Sequence, residues 1–286
     1  MLKPVIRNDT VSGPDAGNSS HPEKELLKKI IAELECDITG HIGNSTRNIA
    51  TDLSLMPALV NEVNRKYPQM NLRFADTPQT LAVLIKQSVS SEEMCSRYIV
   101  NGGENCVHFA IIDCKIINDK ISVILFEPAT YHNMVPAMLA LRVKLAIERE
   151  HIPDCCFSAA EMDIQHSRSE CGIFSLILAK KIHTESEHLF NIHKDNAEGI
   201  LSDSFGLVMS DKTDTYLPVT FYKHTQGLSR IEQYIQSHPE DRNRIINKKN
   251  ETIYTRFVNH SVEYEHKQRS VSAYEKRIAL YKSVMK

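Results

Sequence analysis

Three apolar runs, each with one reactive side chain, constrain the fold of this 286-residue chain more than any other feature. The first run, 107–112, contains His108; the second, 121–127, ends in Glu127; the third begins at Cys171. Branched aliphatic and aromatic residues dominate the first two runs, which is typical of β-strands. The turn Asn118-Asp119-Lys120 between them predicts a hairpin, so two adjacent strands could bring His108 and Glu127 side by side.

The rest of the chain alternates between helical and strand periodicity, which predicts an α+β fold. Helices are predicted over 22–38, from a cap at Ser54 through Val63, from a cap at Thr77 or Thr80 through Ile85, over Met134–Arg149, from Cys171 through Lys181 and over Ser272–Met285; strands are predicted over Arg97–Asn101, Val107–Cys114, Ile121–Glu127 and Cys156–Met162. Segment 183–196 is predicted to be a polar helix, with His183, His188 and His193 at the surface. Segment 202–215 is predicted to be a loop, and 222–256 shows little hydrophobic pattern.

Composition excludes several classes of function. The formal net charge is −2, from 34 Lys and Arg against 36 Asp and Glu, so we expect no nucleic-acid partner, although a local basic pocket remains open. No apolar run reaches 18 residues, so no membrane span is expected. Seven irregularly spaced cysteines indicate reduced thiols rather than a disulfide framework. Their spacing fits no zinc site, and no metal is predicted.

The composition changes along the chain and predicts four regions. Residues 1–21 are rich in Ser, Asn, Gly, Asp and Pro and are predicted to be disordered; they suit a non-cleaved secretion signal and equally an ordinary flexible terminus. An N-terminal helical region is predicted over 22–90, a core of strands and helices over 91–200, and a separate C-terminal region over 201–286.

The reactive residues match the requirements of acyl transfer through a thiol. A thiol attacks as a thiolate, an imidazole can take its proton, and a carboxylate can orient that imidazole. Cys171 begins a predicted helix, where the dipole favours a thiolate, and Gln165 lies six residues upstream, where it could donate to an oxyanion. Taken singly, each residue also has a structural explanation: a buried histidine, a strand end, a small buried thiol.

Several longer strings resemble the YopJ-type effector acetyltransferases of bacterial type III secretion, within the wider adenain/Ulp-type cysteine-peptidase group. These strings are MPALV (56–60), ISVILFEPA (121–129), MDIQ (162–165), SECGIFSL (169–176), LPVTFYKHTQG (217–227) and NKKNET (247–252). The resemblance covers about residues 22–286. It implies an adenain/Ulp-like core with a small mixed sheet and flanking helices. It also implies that His108, Glu127 and Cys171 form the catalytic triad and that Gln165 serves the oxyanion.

The resemblance further implies a secreted virulence effector that acts in the host cytoplasm. Such an enzyme transfers acetyl from acetyl-CoA, through an acetylated cysteine, to Ser or Thr hydroxyls or Lys amines of host MAP kinase kinases, which blocks their phosphorylation and inhibits immune signalling. Inositol hexakisphosphate (phytate) is the implied activator. The resemblance also implies that 91–200 form the catalytic core and that 201–286 form a regulatory region, which binds CoA and phytate and packs on that core. Candidate phytate ligands are Arg65, Lys66, Lys248, Lys249, Arg256, Lys276 and Arg277; candidate CoA contacts are Lys223 and His224.

Two other functions fit the residues. A cysteine protease acting on ubiquitin or ubiquitin-like conjugates would use the same triad chemistry up to the acyl-enzyme. A non-catalytic kinase-binding decoy would need no triad, and the intact triad argues against it. The basic C-terminal region favours transfer from a phosphate-bearing donor over hydrolysis.

Overall fold

The computed structural model describes residues 21–40, 46–91, 93–103, 107–264 and 266–285. The predicted disordered segment 1–21 lies outside the described residues except for His21, where the first helix begins. Cys106, one of the seven cysteines, also lies outside them.

The described residues form helices and strands in mixed order. The α-helices are α1 (His21–Gly40), α2 (Thr46–Lys66), α3 (Pro78–Ser90), α4 (Met134–Arg149), α5 (Cys171–Thr184), α6 (Phe190–Ala197), α7 (Ser210–Asp214), α8 (Leu228–Ser237), α9 (Ile253–Asn259) and α10 (Ser272–Val284). The strands are β1 (Leu72–Ala75), β2 (Cys95–Asn101), β3 (Phe109–Ile117), β4 (Lys120–Glu127), β5 (Cys155–Glu161), β6 (Leu207–Val208), β7 (Ser261–Tyr264) and β8 (Lys267–Ser270). Short 3₁₀ helices span Pro68–Met70, Ser186–Leu189, Val219–Tyr222 and Pro239–Asn243.

Strands β1 to β6 form one mixed sheet in sequence order. β2, β3 and β4 are antiparallel neighbours, whereas the pairs β1–β2, β4–β5 and β5–β6 are parallel. The β3–β4 hairpin turns at Asn118 and Asp119, both with positive φ, as a tight two-residue hairpin turn requires. The α+β fold with a small mixed sheet is therefore as predicted.

The central strands are apolar on both faces because helices cover both sides of the sheet. In β3, Phe109 and Ile111 point into one core, which also contains residues of α1, α2, α5 and α10. Ala110 and Ile112 point into the opposite core, against α3 and α4. Since successive side chains of a strand alternate between faces, a strand buried on both sides has a continuous apolar run.

Helix α5 is the central helix of the larger core. All its residues from Cys171 to Ala179 are buried, and so is Ile182, which explains why its sequence is apolar on every side. The N-terminal helices and the C-terminal helix α10 pack into this same core. Within the described part of the chain, no helix is both long and apolar enough to cross a bilayer.

The prediction that Ser54 caps the second helix was wrong. Helix α2 begins at Thr46, so Ser54 lies within it, and Pro57 is accommodated inside the helix. Met56 and Leu59 are fully buried in the core beside α5. A proline by itself indicates the first turn of a helix. Here tertiary packing stabilises a helix that continues on both sides of Pro57. The short strand β1 was also not predicted.

The polar C-terminal half contains more structure than its pattern indicates. The predicted loop 202–215 contains β6 and α7, and the segment 222–256 contains α8 and the start of α9. Arg230 of α8 is buried, and its guanidinium donates two hydrogen bonds to Asp214, at 2.9 and 2.5 Å. Pairing between distant residues allows a charged side chain to occupy a core position. A hydrophobicity pattern cannot predict such a position, because the residue itself is polar.

The surface prediction for His193 was also wrong. The segment 183–196 is divided between the end of α5, a 3₁₀ helix and α6. His188 is exposed, whereas His193 is fully buried, with Nδ1 2.8 Å from Ser122 Oγ and Nε2 3.0 Å from Asp113 Oδ2. Its partners lie more than 70 residues away in the sequence.

Candidate active site

His108 and Glu127 meet at one end of the sheet. The register pairs Ile111 with Phe126, so Glu127 at the end of β4 lies beside the start of β3, which His108 precedes. His108 Nε2 lies 3.0 Å from both carboxylate oxygens of Glu127. Glu127 is fully buried, and its Oε1 also accepts a hydrogen bond from the backbone N–H of Ala129, at 2.9 Å. The carboxylate is thus held in a fixed orientation against the imidazole.

Cys171 interacts with the same imidazole. Nε2 of His108 faces Glu127, and the imidazole also forms a hydrogen bond with the side chain of Cys171. Burial by itself lowers the pKa of His108, but the charges of Glu127 and Cys171, and hydrogen bonds to both, raise it well above its usual value. The site therefore favours an imidazolium ion beside the sulfur of Cys171, which is the first residue of α5.

Two half-buried thiols, Cys95 and Cys155, have a different environment. Burial raises the pKa of Cys95 to about 11 and that of Cys155 to about 12, so both stay protonated near neutral pH. The six described cysteines are all free thiols. The pKa is raised for Cys95, Cys114 and Cys155. Within the described residues, none of these three thiols forms a hydrogen bond with an imidazole. Cys171 is thus distinguished by its neighbours.

Gln165 lies in the connection between β5 and α5, which crosses the same end of the sheet. Backbone N–H groups of Ile164 and Gln165 donate to the carbonyl of Pro128, at 2.8 and 2.9 Å, so the connection is fixed beside Glu127. The side chain of Gln165 is buried, and its Nε2 donates to the carbonyl of Ser167 at 2.7 Å. One N–H of this amide remains for a second acceptor.

A cluster of positive charges lies where α2, α5 and the C-terminal region meet. Burial, then the charges of Arg256, Lys181 and Lys180, lower the pKa of Lys223 from 10.5 to about 8. Burial, then Lys180 and Lys66, lower the pKa of Lys276. Such repulsion means that these residues lie close together. We call Lys66, Lys180, Lys223, Arg256 and Lys276 the basic cluster.

Carboxylates neutralise the basic cluster only in part: Lys66 pairs with Glu62, at 2.8 Å. Within the described ranges, neither Lys223 nor Lys276 forms an ion pair with a carboxylate. Arg256 pairs with Glu251 at 3.3 Å, yet its Nε is buried with no hydrogen-bond partner among the described residues. Burial and then the charges of Arg256, Lys223 and Lys276 lower the pKa of His224 well below its usual value. These neighbouring cations, of which Lys223 and Lys276 form no ion pair among the described residues, form a site suited to a polyanion.

The structure joins two sets of residues that the sequence presented as separate. The predicted CoA contacts Lys223 and His224 lie with the predicted phytate ligands Arg256 and Lys276, and Ser272 Oγ lies 2.8 Å from His224 Nδ1 while accepting from Arg256 Nη2 at 2.9 Å. Lys180 was missed. It lies on the apolar helix α5, one turn before its end, where it covers the ring of Tyr67 at 5.2 Å from the centroid.

The other predicted phytate ligands lie elsewhere or are already paired. Arg65 is exposed and pairs with Glu62 at 2.7 Å, and Lys248 and Lys249 are exposed in the turn before α9. Arg277 is fully buried and donates to Asp52 through Nε at 3.2 Å and through Nη2 at 2.9 Å. A guanidinium occupied in this way is a structural group of the core. Within the described residues, no group of three or more His, Cys, Asp or Glu side chains is arranged to hold a metal.

Similarity to known proteins extends over the whole chain. A model of the family described as YopJ serine/threonine acetyltransferase matches residues 27–283. The serine/threonine-protein acetyltransferase YopJ of Yersinia pestis is 48% identical over 287 aligned residues, which cover all of both chains. YopJ of Yersinia pseudotuberculosis is 47% identical over the same length.

Solved structures have the same fold. The structure described as AvrA delL154 with IP6 and CoA matches with a TM-score of 0.86 and 45% identity, covering 92% of this chain and 98% of that one. The crystal structure of HopZ1a in complex with IP6 and CoA matches with a TM-score of 0.71 and 18% identity, covering 91% and 97%, and supports the fold alone. By full-length identity and by the family match, this chain belongs to the YopJ family of serine/threonine-protein acetyltransferases.

Proposed function

We propose that the chain is a secreted effector that moves acetyl from acetyl-CoA, through Cys171, to Ser or Thr hydroxyls of host proteins such as MAP kinase kinases, with Lys amines as further acceptors. Acetylation of an activation-loop hydroxyl would block its phosphorylation and so inhibit immune signalling in the host cytoplasm. The observation that carries this proposal is the contact of one buried imidazole, His108, with both Glu127 and Cys171.

In the first half-reaction, the Cys171 thiolate attacks the carbonyl carbon of the acetyl thioester. The bond between that carbon and the CoA sulfur breaks, and the CoA thiolate takes the proton of the His108 imidazolium. Glu127, 3.0 Å from Nε2, keeps the ring oriented while its charge changes. The products are acetylated Cys171, neutral His108 and free CoA.

In the second half-reaction, the acceptor hydroxyl attacks the same carbonyl carbon. Neutral His108 takes the hydroxyl proton as general base, the bond to the Cys171 sulfur breaks, and the thiolate and imidazolium pair forms again. The remaining N–H of Gln165 and the backbone N–H groups at the start of α5 would stabilise the oxyanion of both tetrahedral intermediates. Water in place of the hydroxyl would give hydrolysis, which is the protease alternative.

The basic cluster supports the assignment of phosphate-bearing ligands. Related structures are described with IP6 and CoA, and both molecules carry closely spaced phosphates. We propose that Lys66, Lys180, Arg256 and Lys276 hold phytate and that Lys223 and His224 lie where phytate and the CoA phosphates come closest. The exposed Arg65, Lys248 and Lys249 would add peripheral charge, whereas Arg277 is excluded because Asp52 already occupies its guanidinium.

Intact-protein mass spectrometry tests the proposed reaction. The purified chain is incubated with a MAP kinase kinase and acetyl-CoA, with and without inositol hexakisphosphate. We expect acetyl mass on the kinase only when both small molecules are present. No acetyl gain under any condition, with cleavage of a ubiquitin-like substrate instead, would replace transfer by the protease function.

The proposed phytate site can be tested separately, through the affinity of the chain for phytate. Lys223→Met and Lys276→Met each remove one poorly neutralised cation, and we expect phytate affinity to fall about tenfold or more, since a hydrogen bond to a charged group contributes about 1.5–3 kcal/mol. Lys282→Met is the matched control, because Lys282 lies on α10 like Lys276 but is exposed and pairs with Glu35. Equal affinities of the Lys276 and Lys282 variants would place phytate elsewhere.

The same site predicts a pH dependence. The pKa of Lys223 is about 8 in the free protein, so Lys223 loses its proton as pH rises through 8. A bound polyanion favours the protonated amine and raises this pKa. Phytate binding should therefore weaken above pH 8 and take up protons there, which calorimetry in buffers of different ionisation enthalpy measures. Lys223→Met should lose part of this proton uptake.

A further inference from the structure

The connection between β5 and α5, residues 162–170, carries Gln165 and leads directly to Cys171. Its first part is fixed to the sheet through Glu127 and Pro128, whose carbonyls accept the backbone N–H groups of Met162, Ile164 and Gln165. Its second part, 166–170, is held by side chains of the C-terminal region. The backbone of Gln165 is therefore held by the sheet, whereas the path from Gln165 to Cys171 depends on contacts outside it.

Gln226 supplies most of these contacts. Its side-chain oxygen accepts the backbone N–H groups of His166 at 2.6 Å and Ser167 at 2.8 Å. Its side-chain nitrogen donates to the Glu170 carboxylate and, at 3.2 Å, to Ser167 Oγ. Its backbone N–H donates to the carbonyl of Ile164 at 3.0 Å. One buried glutamine thus binds the connection on both sides of Gln165 and at the residue before Cys171.

Glu170 is the common partner at the start of α5. Its carboxylate accepts hydrogen bonds from Gln226 and from Ser167 Oγ, and lies 4.0 Å from Nη1 of Arg277. The carboxylate itself is buried, so these donors replace water. Ser167 and Glu170 are therefore drawn together into a compact turn that sets where the helix begins.

Gly227 brings the same segment into close contact with the connection. A Cβ at position 227 would collide with the imidazole of His166, whose Nδ1 would lie only 2.8 Å away. The backbone of Gly227 therefore packs directly under the residue that follows Gln165. This approach allows the Gln226 side chain to reach two consecutive backbone N–H groups.

We propose that Gln226 is a positioning residue for acetyl transfer, which fixes the distance between the Gln165 amide and Cys171 by holding the 166–170 turn. The inference rests on the proposed function, because its role is defined by the oxyanion formed there. A displacement of about 1 Å at a reacting centre can cost about 100-fold in rate. Gln226 touches no reacting atom and acts through backbone N–H groups and Glu170.

Gln226 also joins this turn to the basic cluster. The backbone N–H of Ser270 donates to the carbonyl of Gln226 at 3.1 Å, and the N–H of Ser272 donates to Ser270 Oγ at 3.3 Å. Ser272 Oγ in turn contacts Arg256 and His224. A series of hydrogen bonds therefore runs from the proposed phosphate site to the residues beside Gln165, and Gln226 is its last member.

Gln226→Glu tests this role because it keeps the oxygen that accepts the two N–H groups and replaces the donor with a second carboxylate facing Glu170. The rate of acetyl–Cys171 formation is measured by rapid-quench mass spectrometry at saturating acetyl-CoA and phytate. We expect a fall of about 100-fold, with the Kd for phytate unchanged within about twofold. Gln236→Glu, at an exposed glutamine of α8, is the matched control and should behave as the unmodified chain.

A double variant that exchanges the amide of Gln226 and the carboxylate of Glu170 provides the decisive test. Gln226→Glu combined with Glu170→Gln restores one donor facing one carboxylate and should recover at least about tenfold of the lost rate. A Gln226→Glu variant as fast as the unmodified chain, or a double variant no faster than the single one, would overturn the proposal. A rate loss matched by an equal loss of phytate binding would also overturn it. Failure of the unmodified chain to form acetyl–Cys171 would instead contradict the proposed function.

Discussion

Replacing Cys171 with alanine should abolish acetyl transfer while the fold and phytate binding stay unchanged. In the proposed mechanism Cys171 forms the covalent intermediate, and no other described thiol combines a helix start with a contact to His108. We expect the rate to fall by at least about 10³-fold, equivalent to about 4 kcal/mol of transition-state stabilisation. Alanine is close in size to cysteine, so the buried site keeps its packing, and the melting temperature and the phytate-induced shift should be retained.

Cys155→Ala is the matched control for this experiment. The thiol of Cys155 is half-buried, with a pKa raised to about 12, and should carry no acetyl group. Peptide mapping after incubation with acetyl-CoA should locate the acetyl thioester on Cys171 in this control and nowhere in Cys171→Ala. Acetylated kinase produced by Cys171→Ala would refute the assignment of the nucleophile.

Replacing Arg277 with alanine should cause the largest loss of stability. Arg277 and Asp52 are both buried and joined by hydrogen bonds of 3.2 and 2.9 Å, and Arg277 also donates to the carbonyl of Ser169. Removing the guanidinium leaves a buried carboxylate with Tyr281 as its remaining donor. Loss of one partner of a buried pair costs about 3–5 kcal/mol, which lowers the melting temperature by on the order of 10 °C.

Lys282→Ala provides the comparison on the same helix. Lys282 and Glu35 form an ion pair of 2.5 Å, but both side chains are about half exposed, so solvent screens the interaction. We expect its removal to change the free energy of unfolding by at most about 1 kcal/mol. Thermal unfolding followed by circular dichroism measures both variants. Equal melting temperatures for the Arg277 and Lys282 variants would show that the buried pair does not hold α2 and α10 together.

The sequence indicated the elements that carry the candidate triad because each lies in a strongly apolar segment. Strands β3 and β4 are buried on both faces, so their sequences have long apolar runs, and Asn118 and Asp119 tolerate the positive φ of the hairpin turn. Helix α5 is apolar on every side for the same reason. Because these elements could be predicted, the positions of His108, Glu127 and Cys171 near their ends could be predicted too.

Buried polar groups could not be predicted in this way. Arg277 was a candidate phytate ligand because a compact polyanion needs a cluster of Arg and Lys, yet it is buried and pairs with Asp52, 225 residues away. His193 was predicted at the surface and is buried against β3 and β4. A polar side chain in a core position is stable only when its partner is present, and the partner is chosen by the fold.

The sequence by itself therefore determined the α+β class, the central strands and helix, and the elements that carry the candidate triad, since apolar periodicity records burial locally. The tertiary structure alone decided which charges meet. It gathered Lys66, Lys180, Lys223, Arg256 and Lys276 from distant segments, and it brought Gln226 to Glu170 across 56 residues. Electrostatic and hydrogen-bonding contacts depend on distances of a few ångströms in space, which residue spacing along a chain does not specify.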